Sequence, residues 1–202
     1  MKIKNLKSFL IISVLIFTQS CLLLTVKKPY YESISMQKKY LKSLNIDTTN
    51  VYEFNSIYKD SLNMEKYALN LWKIEHKGKA SVLQIRMFDS IGNFLCGWEQ
   101  CMGKAKKWNI YSTLPLNSKY IHNSINYKLN FYNDLNLFDI SINEKERIIE
   151  ALSKNDYTII LIWSSWAGNY CKKHLKDANK YVKSHSEKNI QVLKLNLSSI
   201  YK

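Results

Sequence analysis

The stretch from Asp156 to Leu197 constrains the fold more than any other part of the sequence. Tyr157 to Trp163 is an almost unbroken apolar run with several β-branched residues, a pattern typical of a strand that is buried on both faces. Cys171 to Lys188 carries apolar residues at helical spacing, and Ile190 to Leu197 has the composition of a second strand. Two strands that are joined through a helix pair in parallel, so the stretch predicts a strand, helix and strand crossover.

A further helix is predicted immediately before this crossover. It begins near Ser141, and Glu144 follows at the spacing of a capping box. Ile148, Ile149 and Leu152 give this helix an apolar face. Residues 141–202 therefore form one predicted unit of the chain.

The upstream region, residues 35–140, is predicted to be mainly antiparallel β structure with one N-terminal helix. The helix covers Ser35 to Leu44, where apolar residues recur at helical spacing. The turn from Asp89 to Asn93 predicts a hairpin, in which Gly92 supplies the positive φ that a short loop needs. The fold class is therefore α+β or α/β. The predicted strands of this region are Tyr67 to Glu75, Ala80 to Phe88, Phe94 to Trp98 and Ile125 to Tyr132.

The first 20 residues have the pattern of an export signal. Three lysines, the last at Lys7, precede a short apolar run from Phe9 to Phe17. A helix that spans a membrane needs about 20 apolar residues, so this run suits the core of a signal better. We therefore predict a signal peptide at residues 1–20, directly before Cys21.

The ending Thr18-Gln19-Ser20-Cys21 resembles a bacterial lipoprotein signal. The resemblance implies cleavage before Cys21 and attachment of diacylglycerol to its sulfur. Residues 21–34 would then be the lipidated cysteine and a tether, and the protein would be exported and membrane-anchored in the bacterial cell envelope, facing the periplasm or at the cell surface. Ordinary secretion with an incidental cysteine is the alternative.

The run Ile-Leu-Ile-Trp-Ser-Ser-Trp that ends at Trp166, followed by a small-residue turn, a cysteine and an amphipathic helix, resembles the active-site strand, turn and helix of the thioredoxin-like family. In this resemblance Trp166 matches the tryptophan that precedes the C-x-x-C motif. Ala167 stands where the family has its nucleophilic cysteine, and Cys171 lies one residue too late to match the second cysteine. The dithiol is absent, so the portion is degenerate.

The resemblance also implies a cis-proline loop, a hairpin and a last helix beyond the second strand, whereas the sequence stops at Lys202. Three explanations are open: a shortened relative, an early stop, or an upstream hairpin that supplies the missing antiparallel strands. We favour the third, with the hairpin from Val82 to Trp98 beside Tyr157 to Trp163, because a two-stranded parallel sheet would leave exposed edges.

The remaining cysteines offer two hypotheses. Cys96 and Cys101 are close in sequence, so a local disulfide is one prediction and two reduced buried thiols are the other. Cys171 stands at the start of a helix, where the helix dipole and neighbouring lysines would lower the pKa of its thiol. A merely buried or vestigial cysteine is the alternative at Cys171, which we favour because no base or second thiol is placed beside it.

The net charge of +14 is strongly basic, but the lysines are scattered and form no array with arginine and aromatic residues. We therefore expect no nucleic-acid partner. A zinc site that joins Cys171 and His174 to Cys96 and Cys101 is disfavoured, because exported domains more often form disulfides, and we predict no metal and no cofactor.

These patterns predict an envelope lipoprotein whose partners are membrane lipid, through acylated Cys21, and an envelope protein. The favoured role is binding or assembly, and we lean against an enzyme because the C-x-x-C dithiol is absent. The alternative is a thiol-disulfide oxidoreductase that uses Cys171, with Trp166 adjacent to it.

Overall fold

A computed structural model describes residues 30–55, 83–99 and 130–198 of the chain. These residues form a mixed α and β fold, with one five-stranded sheet and four α-helices. The predicted strand Tyr67 to Glu75 lies outside the described residues. In chain order the elements are α1 (Ile34–Ser43), β1 (Val51–Glu53), β2 (Gln84–Asp89), β3 (Phe94–Glu99), α2 (Phe131–Leu135), α3 (Ile142–Lys154), β4 (Tyr157–Trp163), a 3-10 turn (Ser165–Ala167), α4 (Asn169–Ser184) and β5 (Ile190–Asn196).

The strands lie in the order β1-β5-β4-β2-β3. β5 runs parallel to both β1 and β4, so the predicted parallel crossover through α4 is confirmed. β2 runs antiparallel to β4 and to β3. The upstream hairpin therefore supplies the antiparallel strands beside Tyr157–Trp163, as the sequence predicts.

β4 is the central strand, and its side chains alternate between two apolar cores. Ile159 and Leu161 pack with residues of α1 and α4 on one face, whereas Ile160 and Ile162 pack with residues of α2 and α3 on the other. Because both faces of β4 are covered, the sequence needs an apolar residue at nearly every position of this strand.

The hairpin turn between β2 and β3 forms as predicted. Gly92 has a φ of 87°, and its N–H donates to Asp89 O at 3.1 Å. The Asp89 carboxylate also accepts from the main chain of Asn93 at 2.8 Å. A Cβ at Gly92 would lie 3.0 Å from Tyr132 Cε2, so the glycine also allows α2 to approach the turn.

The helix α3 begins where the sequence predicts. Ser141 is its N-cap, and its Oγ accepts from the N–H of Glu144 at 3.3 Å. The Glu144 carboxylate instead accepts from Tyr52 and Arg147, so only one half of the predicted capping box is present among these groups. α1 is capped by Ser33, two residues before the predicted start of the helix at Ser35.

The predicted strand Ile125 to Tyr132 is wrong at its C-terminal end. Asn130 makes only an isolated bridge to Asn93, and Phe131 and Tyr132 lie in α2. The Asn130 side chain accepts from Asn133 N at 2.8 Å and so caps this short helix, which overrides the alternating pattern. The earlier residues of the predicted strand, 125–129, lie outside the described residues.

The helix predicted from Cys171 to Lys188 begins two residues earlier, at Asn169, and ends at Ser184. No helix in the part of the chain that the structure describes is both long enough and apolar enough to cross a bilayer.

Candidate functional site

The turn between β4 and α4 lies at the carboxyl end of β4, beside the carboxyl end of β5. Trp163, the last residue of β4, pairs with Asn196, the last residue of β5. In open sheets with parallel strands, ligands and reacting groups gather at this edge. The sequence places its candidate residues here as well, because Trp166, Ala167 and Cys171 all follow β4 closely.

The structure brings these three residues together, but it places them inside the core. Trp166 is 5% exposed, and Ala167 and Cys171 are fully buried. All three belong to the apolar cluster that also contains Leu175 of α4. The turn therefore presents neither the tryptophan face nor the thiol to a substrate at the surface.

Burial controls the chemistry of Cys171. It raises the pKa of the thiol to about 12, although hydrogen bonds with the Tyr40 side chain and the Ser164 main chain act in the opposite direction. The direction of this pKa change fits a buried cysteine, which is the alternative favoured from the sequence, and not a thiol whose pKa is lowered at the helix start. Lys172 and Lys173 follow Cys171 directly, but both are exposed, so their charges are screened by solvent.

Residues 30–33, which we call the strap, cross over the turn. The Tyr30 hydroxyl lies 3.2 Å from Ser165 Oγ, and Ser165 Oγ donates a hydrogen bond to the Glu32 carboxylate. The main-chain oxygen of Glu32 accepts from Gln37 Nε2 at 2.8 Å and from Ser198 Oγ at 3.2 Å. Glu32 is only 4% exposed, so the strap is bound into the fold at both its side chain and its backbone.

Sequence reasoning missed the strap, because it assigned residues 21–34 to the tether. Glu32 and Ser165 are 133 positions apart, and no local pattern connects them. Glu32 directly precedes the N-cap Ser33, and nothing in the local sequence distinguishes it from an exposed glutamate, so its burial could not be read from the sequence.

Several buried polar atoms at this edge have no hydrogen-bond partner among the described residues. They include Glu32 Oε2, Trp163 Nε1, Ser164 Oγ and Asn196 Nδ2. Buried polar atoms are usually hydrogen-bonded in folded proteins, so these atoms are exceptions. They make the edge at the carboxyl ends of β4 and β5 polar, although it is enclosed.

Of the predicted disulfide pair, Cys96 and Cys101, the structure describes only Cys96. Cys96 on β3 is buried, and burial raises the pKa of its thiol to about 12. Cys101 lies outside the described residues, as does Cys21. The disulfide and the lipid attachment therefore remain predictions.

His174, the partner of Cys171 in the disfavoured zinc hypothesis, is a buried core residue. Its Nε2 lies 3.2 Å from Ile162 O, and burial lowers the pKa of the imidazole to about 4. Within residues 30–55, 83–99 and 130–198, no group of three His, Cys, Asp or Glu side chains is placed to hold a metal ion. His174 thus acts as a hydrogen-bonded part of the core.

A separate cleft of about 240 Å³ lies between α4 and the connection from α1 to β1. Lys194 of β5 lines this cleft and is only 3% exposed. Its ammonium donates to Asp47 Oδ2 at 3.1 Å and to Thr49 O at 2.9 Å. Burial lowers the pKa of Lys194, and the hydrogen bond with Asp47 opposes this change.

Sequence reasoning did not select Lys194 either, although a signal was present. In the predicted strand Ile190 to Leu197, Lys194 alternates with apolar residues and shares a face with Val192. A charged residue on the buried face of a strand indicates a paired ion or a site.

No family model matches the sequence, and no curated protein or solved structure matches it either. The geometry of the turn and of the cleft therefore carries the functional conclusion.

Proposed function

We propose that the protein is a membrane-anchored lipoprotein of the bacterial cell envelope that acts by binding or assembly and not by thiol-disulfide exchange. One observation carries the second half of this proposal: Cys171, the only thiol at the turn among the described residues, is fully buried. Ala167, which has no reactive group, occupies the position at which the resembled family has its nucleophilic cysteine.

The chemistry of exchange argues against the alternative oxidoreductase. The attacking species in exchange is a thiolate, and a thiol with a pKa of about 12 is almost entirely protonated at neutral pH. Cys96, the other described thiol, has a pKa raised in the same way. Neither sulfur is presented to a disulfide substrate, because both are buried.

The proposal includes a thioredoxin-like core that has lost its redox site. The parallel unit of β4, α4 and β5 supports this assignment, and so does the antiparallel hairpin of β2 and β3 beside β4. In the resembled family a hairpin is expected after the second strand of that unit. Here the hairpin comes from an earlier part of the chain and occupies the neighbouring position in the sheet.

The anchor is proposed from the signal that ends at Cys21, and two features fit it. The whole sequence has a net charge of +14, and removal of the signal with its three lysines would leave +11, which would attract the protein to anionic lipid headgroups. The strap, residues 30–33, lies near the C-terminal end of the predicted tether, residues 21–34, and is hydrogen-bonded into the fold at Glu32. A tether that ends in the core would hold the domain close to the bilayer surface.

The anchor is tested by metabolic labelling of expressing bacteria with a radioactive or alkyne-bearing fatty acid. Wild type should carry the label and partition into the membrane and detergent phases, whereas Cys21→Ser should lose both properties because the acylated sulfur is gone. Cys101→Ser, which removes a different cysteine, should keep both. A Cys21→Ser protein that still carries the label and remains in the membrane fraction would overturn the proposed anchor.

A further inference from the structure

The cleft beside Lys194 is small, and much of its wall is apolar. Its walls include Leu175, Ala178 and Val182 of α4, and Leu161 and Val192 of the sheet. Ligand pockets for drug-sized molecules usually have volumes of about 300–1,000 Å³. The volume of this cleft, about 240 Å³, therefore suits a ligand smaller than a drug-sized molecule. One aliphatic amino-acid side chain with its adjoining peptide group is comparable in size.

The polar end of the cleft offers a donor and an acceptor side by side. An ammonium group has three N–H donors, and Asp47 and Thr49 take two of those of Lys194 among the described residues. The third can donate to a ligand. The Asp47 side chain is 58% exposed, so its carboxylate can accept a hydrogen bond from a ligand at the rim of the cleft.

The charge of this pair selects the chemical class of the ligand. Lys194 and Asp47 neutralise each other, so a bound carboxylate would lie uncompensated beside Asp47, and a bound amine would lie uncompensated beside Lys194. A neutral amide avoids both penalties. Its carbonyl can accept from Lys194 while its N–H donates to Asp47.

We propose that this cleft binds a neutral amide with an aliphatic side chain, which is the chemistry of an apolar residue within a peptide. The amide side chains of Asn179 and Gln191 also line the cleft and add hydrogen-bonding groups of the same kind. This proposal rests on the proposed binding role and names the ligand class for it.

The test uses N-acetyl-L-leucinamide as the probe, with the exported chain carrying Cys21→Ser to remove the lipid. Binding is followed by two-dimensional ¹⁵N NMR, and the dissociation constant is compared with those of hexanoate and isoamylamine, which present a carboxylate and an amine on similar aliphatic bodies. We expect saturable shifts at cleft residues such as Val192 with the amide, and binding at least about fivefold weaker for the other two probes.

Variants separate the site from nonspecific charge effects. Lys194→Met keeps the length of the side chain but removes the donor, and it should weaken binding of the amide about tenfold. Lys183→Met, which removes an equal charge from an exposed position on α4, should leave the dissociation constant unchanged. Val182→Trp should abolish binding by filling the cleft, and it keeps the proposal testable if Lys194→Met fails to fold.

Three outcomes would overturn the proposal: no saturable shift at the cleft with the amide, hexanoate or isoamylamine binding as tightly as the amide, or equal losses in Lys194→Met and Lys183→Met. The first outcome includes the case in which another part of the same chain fills the cleft. A failure here leaves the labelling of Cys21 unaffected, so it is distinguishable from a failure of the proposed anchor.

Discussion

Burial is the largest influence on ionisation at Cys96, Cys171 and His174. It raises the pKa of each thiol to about 12 and lowers the pKa of the imidazole to about 4, so each group is held in its uncharged form. Nearby groups have smaller effects, as the hydrogen bond between Tyr40 and Cys171 illustrates. These three side chains therefore behave as core residues at neutral pH.

Buried cations in the same fold are accompanied by a partner. Arg86 donates to Asp134 Oδ1 at 2.7 Å, and Lys194 donates to Asp47 Oδ2 at 3.1 Å. A buried charge is tolerated where a hydrogen-bonded counter-charge accompanies it. The pair of Lys194 differs because Asp47 is largely exposed, which leaves this ion pair open to a ligand.

The pKa of His174 predicts a sensitivity to mild acid. Its folded pKa of about 4 lies below the ordinary value of 6.5, so the unfolded chain binds the proton first as the pH falls. Stability from this group is complete above 6.5 and is lost progressively as the pH falls toward 4. Urea unfolding should report a loss of about 2 kcal/mol between pH 6.5 and about pH 5.

A His174→Gln variant is the control for this prediction, because glutamine can hydrogen-bond to Ile162 O without titrating. The variant should be less stable than wild type at neutral pH, and the difference between the two should shrink as the pH falls. Asp177 and Lys173 stand near the ring with opposite effects on its pKa and are present in both proteins. Parallel pH curves for the two proteins would contradict the assignment.

At the scale of elements, the sequence predicts what local chemistry decides. The start of α3 at Ser141 and the turn at Gly92 follow from side-chain and backbone preferences within a few residues. The alternation up to Tyr132 fails because Asn130 caps a helix, and because Phe131 packs edge to face on Phe88 with ring centres 5.6 Å apart. That contact joins residues far apart in sequence and could not be predicted from spacing.

The cap of α3 gives a prediction at this scale. Ser141→Ala removes the acceptor for the N–H of Glu144 and should lower the free energy of unfolding by about 1 kcal/mol. Ser153→Ala is the matched control, because Ser153 is an exposed serine on the same helix and not its cap. Its effect should stay within about 0.5 kcal/mol. Equal losses in the two variants, measured by urea unfolding, would refute the cap.

At the scale of the whole molecule, the sequence predicts the neighbours of β4 in the sheet but not the segment that covers the carboxyl ends of β4 and β5. The apolar run of β4, the crossover through α4 and the need to cover β4 with antiparallel strands were sufficient to predict the hairpin beside it. The strap could not be predicted, because its contact with Ser165 depends on the whole fold. The cleft at Lys194 was missed for the same reason, since its walls come from α4, β4, β5 and the connection after α1.

The most direct test of the account is the alkylation rate of Cys171 in the folded protein at neutral pH, read at this residue by peptide mass spectrometry. In the native chain the buried thiol should react on the order of a thousandfold more slowly than in the same chain unfolded in guanidinium, because its pKa is about 12 instead of about 8.5. If Cys171 in the native protein reacts as fast as in the unfolded chain, or faster, the thiol is not buried in the turn between β4 and α4. That result would contradict the account and favour the alternative function of a thiol-disulfide oxidoreductase.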